Sequence, residues 1–281
     1  MSKKILIALI LCLGLCLSFA EAKEQVSKHK YHPQTREELQ ALVDDLSVNL
    51  GEIDTSKITD MSELFYESER KDFSGIETWD TSKVTDMTSM FFGAIFFNQN
   101  INSWDTSKVT NMYSMFSDAK SFNQPLNSWN TSSVTNMYNM FGVAISFNQP
   151  LDKWDTSSVK DMKYMFSDAE SFNQPLNSWN TSSVENMYGM FEGAESFNQP
   201  LDKWNTSSVK DMGLMFKEAT SFNQPLDKWN TSSVEKMGLM FKEAKSFKQN
   251  INNWNTSKVK DMKGMFEGSP LEKNPPKWYK K

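Results

Sequence analysis

Trp104-Asp105-Thr106-Ser107-Lys108-Val109-Thr110-Asn111-Met112-Tyr113-Ser114-Met115-Phe116-Ser117-Asp118-Ala119-Lys120-Ser121-Phe122-Asn123-Gln124-Pro125-Leu126 decides how this chain folds, because nearly the same residues start again at Trp129. Tryptophan recurs at 79, 104, 129, 154, 179, 204, 229 and 254, always 25 apart. The unit reads W-[DN]-T-S-x-V-x-[DN]-M-x-x-M-F-x-x-A-x-S-F-N-Q-P-L-[ND]-x, numbered 1–25 from the tryptophan. No insertion interrupts it, and the eighth copy breaks off at Met265-Phe266-Glu267-Gly268-Ser269-Pro270. An atypical copy precedes the first, from Asp54-Thr55-Ser56 through Met61, Leu64 and Phe65, as a terminal capping repeat should.

One unit cannot bury its own Trp, Val, two Met and two Phe. Stacking identical units sets each of these against its copy in the next coil and makes a continuous core. Within a unit, position 8 is Asp or Asn in seven of eight copies, a natural helix N-cap. Met112, Met115, Phe116 and Ala119 then fall at i, i+3, i+4 and i+7, which predicts a two-turn helix held by packing. Ser121 to Leu126 contains Pro125 and has no helical period, so it reads as extended, and Val109 reads as a second extended piece. The expected fold is an α/β repeat solenoid of about eight 25-residue coils, each with a short helix and short extended segments, with caps at both ends. A right-handed superhelix follows from the preferred hand of strand–crossover–strand connections.

The period also accounts for the composition. The chain of 281 residues holds 18 Met, 20 Phe and 9 Trp but only 2 Cys and 2 His. Sixteen of the Met and eight of the Trp are unit positions, so the length counts coils and not domains.

Outside the repeats, residues 1–22 read as a secretory signal: Lys3 and Lys4, an apolar run from Ile5 to Phe19, then Ala20-Glu21-Ala22 before cleavage. Both Cys12 and Cys16 lie within it, and Leu13-Gly14-Leu15-Cys16 argues against lipidation at Cys16. Removing it leaves no cysteine, 28 basic and 34 acidic residues, and no further membrane-spanning segment. Residues 23–34 read as a flexible polar linker. Residues 35–78 read as an N-terminal helix plus capping repeat, with a capping box at Thr35-Arg36-Glu37-Glu38 and Leu39, Leu42, Val43 and Leu46 on one helical face. The solenoid runs over 79–270, and 271–281 forms a C-terminal cap or tail.

The units, as at 104–126, resemble the BspA-like leucine-rich-repeat surface proteins of bacteria. The resemblance covers about residues 35–270 and implies a leucine-rich-repeat-type solenoid, exported to the cell surface or secreted, and associated with adhesion. It carries no catalytic residues. The chain lacks the evident anchor and extra domains of larger members.

Catalytic parts are missing from the repeats. They contain no histidine, so no Ser-His-Asp set forms, and no glycine-rich phosphate loop appears. His29 and His32 sit in the linker, too few to hold a metal. The acidic residues recur as ladders and not as one distinctive pair. No catalytic, cofactor or metal residue is therefore assigned, and an enzyme is not expected. A formal net charge of −5 argues against nucleic acid.

Several ladders have structural readings. The Asn-Gln pairs from 98–99 to 223–224 can bond from coil to coil, and the Trp and Met columns read as core. Lys160, Glu185, Lys210, Glu235 and Lys260 alternate in sign down consecutive coils and favour the register. Unit positions 10 and 11 vary more. They carry Tyr113, Tyr138, Tyr164 and Tyr188 in consecutive coils, then Leu214 and Leu239. An exposed stripe of this kind is either a contact surface or lateral packing and solvent-facing filler. The leading reading is an adhesin-like interaction module that binds a protein or glycan on a host or neighbouring cell through one solenoid face. The alternative is a structural scaffold component of the cell envelope.

Overall fold

The computed structural model describes residues 29–280; residues 1–22, read from sequence as a secretory signal and containing Cys12 and Cys16, residues 23–28 of the expected linker, and Lys281 lie outside the described residues. The chain is a repeat solenoid. Eight single-residue parallel bridges join position 8 of successive coils, from Asp60–Asp86 through Asn111–Asn136 to Lys236–Asp261.

The expected helix in each coil does not form. Met112 to Ala119 is a run of turns, and so is its counterpart in every other copy. The reason lies in positions 11 and 15, which are left-handed in every coil: Ser114 has φ 51° and Asp118 φ 58°, and Gly189 and Gly193 have φ 62° and 66°. An α-helix needs φ near −63° throughout, so two such residues four apart exclude it. Met115 N–H donates to Met112 O (3.3 Å) and Ala119 N–H to Phe116 O (3.1 Å), each closing a turn with a left-handed third residue, as type II turns require.

The N–H groups between those turns leave the coil. Met112, Ser114, Phe116 and Asp118 donate to the carbonyls of Asn136, Tyr138, Met140 and Gly142 in the next coil, at 3.1, 2.8, 2.9 and 2.7 Å. A helix would keep these donors for itself. Stacked copies offer each one a partner, so the ladder between coils replaces helix bonding and offsets the left-handed strain. Position 8 still caps, but it caps a turn: Asn111 Oδ1 accepts from Tyr113 N–H (3.1 Å) and Asp161 Oδ1 from Lys163 N–H (2.8 Å). The α/β description therefore reduces, among the described residues, to one α-helix, three 3₁₀ turns and isolated bridges.

Burial follows the periodic pattern. Met112, Met115, Phe116, Ala119 and Phe122 are wholly buried, as are their copies at 137–147. Trp129 stacks on Trp154 at 6.4 Å with planes 1° apart, and its indole N–H donates to Ile101 O at 3.1 Å. Buried Thr131 donates its hydroxyl to Asp155 O in the next coil (2.9 Å). The Asn-Gln pairs bond between coils as expected. Asn98 Oδ1 accepts from Asn123 N–H at 2.9 Å and from Gln124 Nε2 at 3.1 Å, and this repeats down the stack. Each polar column thus satisfies groups that stacking would otherwise bury unpaired.

The two ends differ. Helix α1 (Arg36–Asp44) starts at Thr35, whose hydroxyl accepts from Glu38 N–H at 3.2 Å. Glu38 reaches back to Gln34 N–H, one residue beyond the usual capping-box partner. Leu39 and Val43 are buried, but Leu46 lies past the helix end and is 67% exposed, so it leaves the predicted face. Residues 29–34 are not a free linker: Tyr31 pairs with Ile53, and Tyr31 O accepts from Asp54 N–H at 2.9 Å. Arg70 is buried beneath α1 and donates to the carbonyls of Val43, Asp45 and Val48, a cation at a helix C-terminus. At the other end Trp278 stacks on Trp254 at 6.2 Å and donates to Ile251 O, adding a rung to the tryptophan column.

Candidate functional site

Positions 10 and 11 sit on the outer side of the first turn in each coil, and they place all six predicted contact residues along one face. Tyr113, 38% exposed, stacks on Tyr138 at 4.8 Å with planes 6° apart. Tyr164 occupies position 11 where its neighbours have tyrosine at position 10, so its ring stands across the stripe. It lies at 88° and 6.1 Å to Tyr138, and at 87° and 5.3 Å to Tyr188. Tyr164 rests on Gly189, where a Cβ would come within 2.4 Å of the ring. The predicted exposed stripe is therefore corrected in one respect: Tyr138, Tyr164 and Tyr188 are half-buried, because each ring shields the next.

Lys163, at position 10 beside Tyr164, sets its ammonium 5.6, 5.3 and 5.1 Å from the ring centres of Tyr138, Tyr164 and Tyr188. One cation thus bridges three rings. Burial, with Tyr188 second, pushes the Tyr164 phenol well above its ordinary range, and burial does the same to Tyr138 to a lesser degree. At neutral pH these are uncharged hydroxyl donors on an apolar body, a chemistry suited to contact surfaces.

Beyond Tyr188 the face changes. Position 10 becomes Gly213 and then Gly238, and the missing side chains open a groove of about 380 Å³ beside Tyr188, Leu214 and Leu239. Asp211 and Lys236 pair at 3.2 Å along its rim. The groove joins Tyr188, Leu214 and Leu239; Tyr113, Tyr138 and Tyr164 continue the same face outside it. Sequence reasoning identified the two leucines but not the groove, whose signal was the pair of glycines replacing tyrosine. It also missed an exposed cluster near the first coil: Tyr66 stacks on Phe92 at 4.9 Å, while Ile95 and Phe96 are 39% and 44% exposed. The signal there was Phe96 at position 18, where the next copies have serine.

Three stretches of the chain, 37–144, 124–219 and 174–278, match the family described as Mycoplasma protein of unknown function, DUF285. The chain belongs to this family. The three DUF285 matches overlap within the repeats, as a family built on repeated units should, and together they contain every residue of the Tyr/Leu face. No curated protein and no solved structure gives a match.

In this DUF285 chain the face also holds backbone strain. Tyr164, Leu214 and Leu239 have φ 57°, 59° and 59°, a conformation costing a bulky residue about 1–2 kcal/mol. Gly189 and Gly264 occupy the same unit position at φ 62° and 63°, so glycine fits there without that cost. Elsewhere, Lys260 pairs with Glu235 at 2.6 Å and Lys210 with Glu185, so two of the four junctions of the alternating charge ladder are exposed ion pairs. His32 Nδ1 lies 3.1 Å from Asp54 Oδ2. Among the described residues no three His, Cys, Asp or Glu side chains are grouped to hold a metal ion, and no helix is long and apolar enough to cross a membrane.

Proposed function

We propose that the chain is an exported surface or secreted protein-interaction module, adhesin-like, that contacts a protein or glycan on a host or neighbouring cell through its Tyr/Leu face. The observation that carries this reading is the strain at position 11. Tyr164, Leu214 and Leu239 hold large apolar side chains in a left-handed conformation that glycine adopts freely one coil away in the same column. Packing does not require them, since Gly189 and Gly264 build the same turn. Their side chains line a half-open face, with a groove that accepts an apolar group and a tyrosine ladder offering hydroxyls beside it. Contact would be multivalent along a rigid face, without chemistry.

Export is supported by the composition of residues 1–22, and the leucine-rich-repeat-type, right-handed form by the resemblance of the units and by the preferred hand of crossover connections. The test is binding of the purified chain to intact host cells and to bacterial cells, compared with two variants. One carries serine at Tyr113, Tyr138, Tyr164 and Tyr188; the other carries Leu214→Gly and Leu239→Gly. The expected result is at least a tenfold loss of binding in each. Undiminished binding by both overturns the assignment of the face, and recovery of cell-envelope partners alone overturns the adhesin reading.

A further inference from the structure

The coil-to-coil ladder ends differently at its two ends. At the N-terminal end, the carbonyls that a preceding coil would use belong to Asp60, Ser62, Leu64 and Tyr66. The middle two are taken by side chains of α1: Arg36 Nε donates to Ser62 O at 2.7 Å and Gln40 Nε2 to Leu64 O at 3.1 Å. At the C-terminal end the ladder donors are the N–H groups of Met262, Gly264 and Phe266. Their counterparts Met237, Leu239 and Phe241 donate to Asp261, Lys263 and Met265 at 2.7, 2.9 and 2.9 Å. Among the described residues none accepts from the last three. Glu272 closes only the fourth, accepting from Gly268 N–H at 3.0 Å. Met262 and Val259 are half-exposed here, whereas every earlier copy of each from Val84 and Met87 onward is wholly buried. A slot of about 450 Å³ lies over these groups, walled by Glu272 and Tyr279 of the tail.

We propose that this slot is a second binding site, which takes a backbone segment of a partner polypeptide as an added rung. The bonding of every other coil specifies the segment. One residue donates its N–H to Lys260 O, as Lys260 itself does to Glu235 O at 2.8 Å. The next residue, and the two that follow it at alternate positions, present carbonyls to Met262, Gly264 and Phe266. Apolar side chains three apart cover Val259 and Met262, and glycine or asparagine suits the left-handed site two residues beyond the second of them. A second copy does not supply such a segment through its own ends. At its N-terminal end two of the three carbonyls this site needs, those of Ser62 and Leu64, are held by Arg36 and Gln40 of α1, and two C-terminal ends facing each other would set donors against donors. The occupant is therefore a foreign chain, added once and at one end.

The probe is a synthetic peptide of residues 182–194, Ser-Ser-Val-Glu-Asn-Met-Tyr-Gly-Met-Phe-Glu-Gly-Ala, which carries the required pattern, with Gly189 at the left-handed site. It is titrated into the full chain while amide hydrogen exchange is followed residue by residue. The expected result is at least tenfold slower exchange at Met262, Gly264 and Phe266, with Met237, Leu239 and Phe241 unchanged. A peptide with Val184→Asp and Met187→Asp gives no such protection, and the chain variant Met262→Lys weakens binding at least tenfold. Absence of protection at about 1 mM peptide, equal protection by the Asp peptide, or undiminished binding by Met262→Lys overturns the proposal. So does protection confined to the Tyr/Leu face, which would leave the reading of that face intact.

Discussion

Replacing Trp179 by Phe tests whether the tryptophan column holds the coils together. Trp179 is 3% exposed and stacks between Trp154 and Trp204 at 6.4 Å from each. Its indole N–H donates to Leu151 O at 2.9 Å, but that carbonyl also accepts Trp154 N–H at 3.2 Å, so it is not orphaned by the change. The lost bond therefore costs about 1 kcal/mol and not the full penalty of an unpaired buried carbonyl. The smaller ring gives up about 40 Å² of apolar burial, about 1 kcal/mol, and leaves a void of about 40 Å³, about 1 kcal/mol more. The expected loss is about 3 kcal/mol.

Urea unfolding by circular dichroism gives the loss, and amide exchange shows whether it is confined to neighbouring coils, since repeat arrays can unfold in part. The half-exposed Trp278, at the end of the column, should lose about half as much. Trp179→Phe and Trp204→Phe share a stacking contact and should couple by about 0.5–1.5 kcal/mol. Trp104→Phe and Trp229→Phe are five coils apart and should add to within about 0.5 kcal/mol. A loss below about 1 kcal/mol at Trp179, or equal losses at Trp179 and Trp278, would refute the reasoning.

Gly189→Ala places a methyl 2.4 Å from the Tyr164 ring at φ 62°, so it should cost about 1–2 kcal/mol in thermal unfolding and turn that ring, visible in its proton shifts. Arg70→Met removes the donors held by Val43, Asp45 and Val48 and should cost about 2–3 kcal/mol, read as faster exchange throughout α1 with the middle coils unchanged. Burial raises the Asp54 carboxyl, but bonds from Ser56 and contact with His32 outweigh it and bring the value from 3.8 down to about 2. A depressed folded-state value means stability that is complete above pH 3.8 and is lost as pH falls toward 2; after solvent screening this is worth about 1 kcal/mol, and Asp54→Asn should flatten that limb of an acid titration.

The residues that point inward are legible in the sequence. The spacing of Met112, Met115, Phe116 and Ala119 sets them on one buried face, and all are buried, yet the backbone carrying them is not helical. Spacing of i, i+3, i+4 and i+7 reports which side chains share a face; it does not report where the N–H groups go. A clue was present in Gly93, Gly189, Gly193, Gly264 and Gly268, five of the eight repeat glycines, which fall at positions 11 and 15, the two left-handed sites; Gly142, Gly213 and Gly238 fall at positions 14 and 10. Ser114, Asp118 and Leu214 hid that clue, because the neighbouring coil supplies bonds that let non-glycine residues hold the same conformation. The six face residues were likewise legible as a varying stripe. The turn of the Tyr164 ring, the position of Lys163 among three rings and the groove at Gly213 and Gly238 depend on contacts between coils.

By itself the sequence determined the 25-residue period, the stacking of like on like and the buried columns, because bulky apolar residues repeated at one spacing have only their own copies to pack against. The tertiary structure decided the rest. Whether an amide closes a helix turn or crosses to the next coil depends on an acceptor 25 residues away, and only when the coils are in register does that acceptor arrive at hydrogen-bond distance.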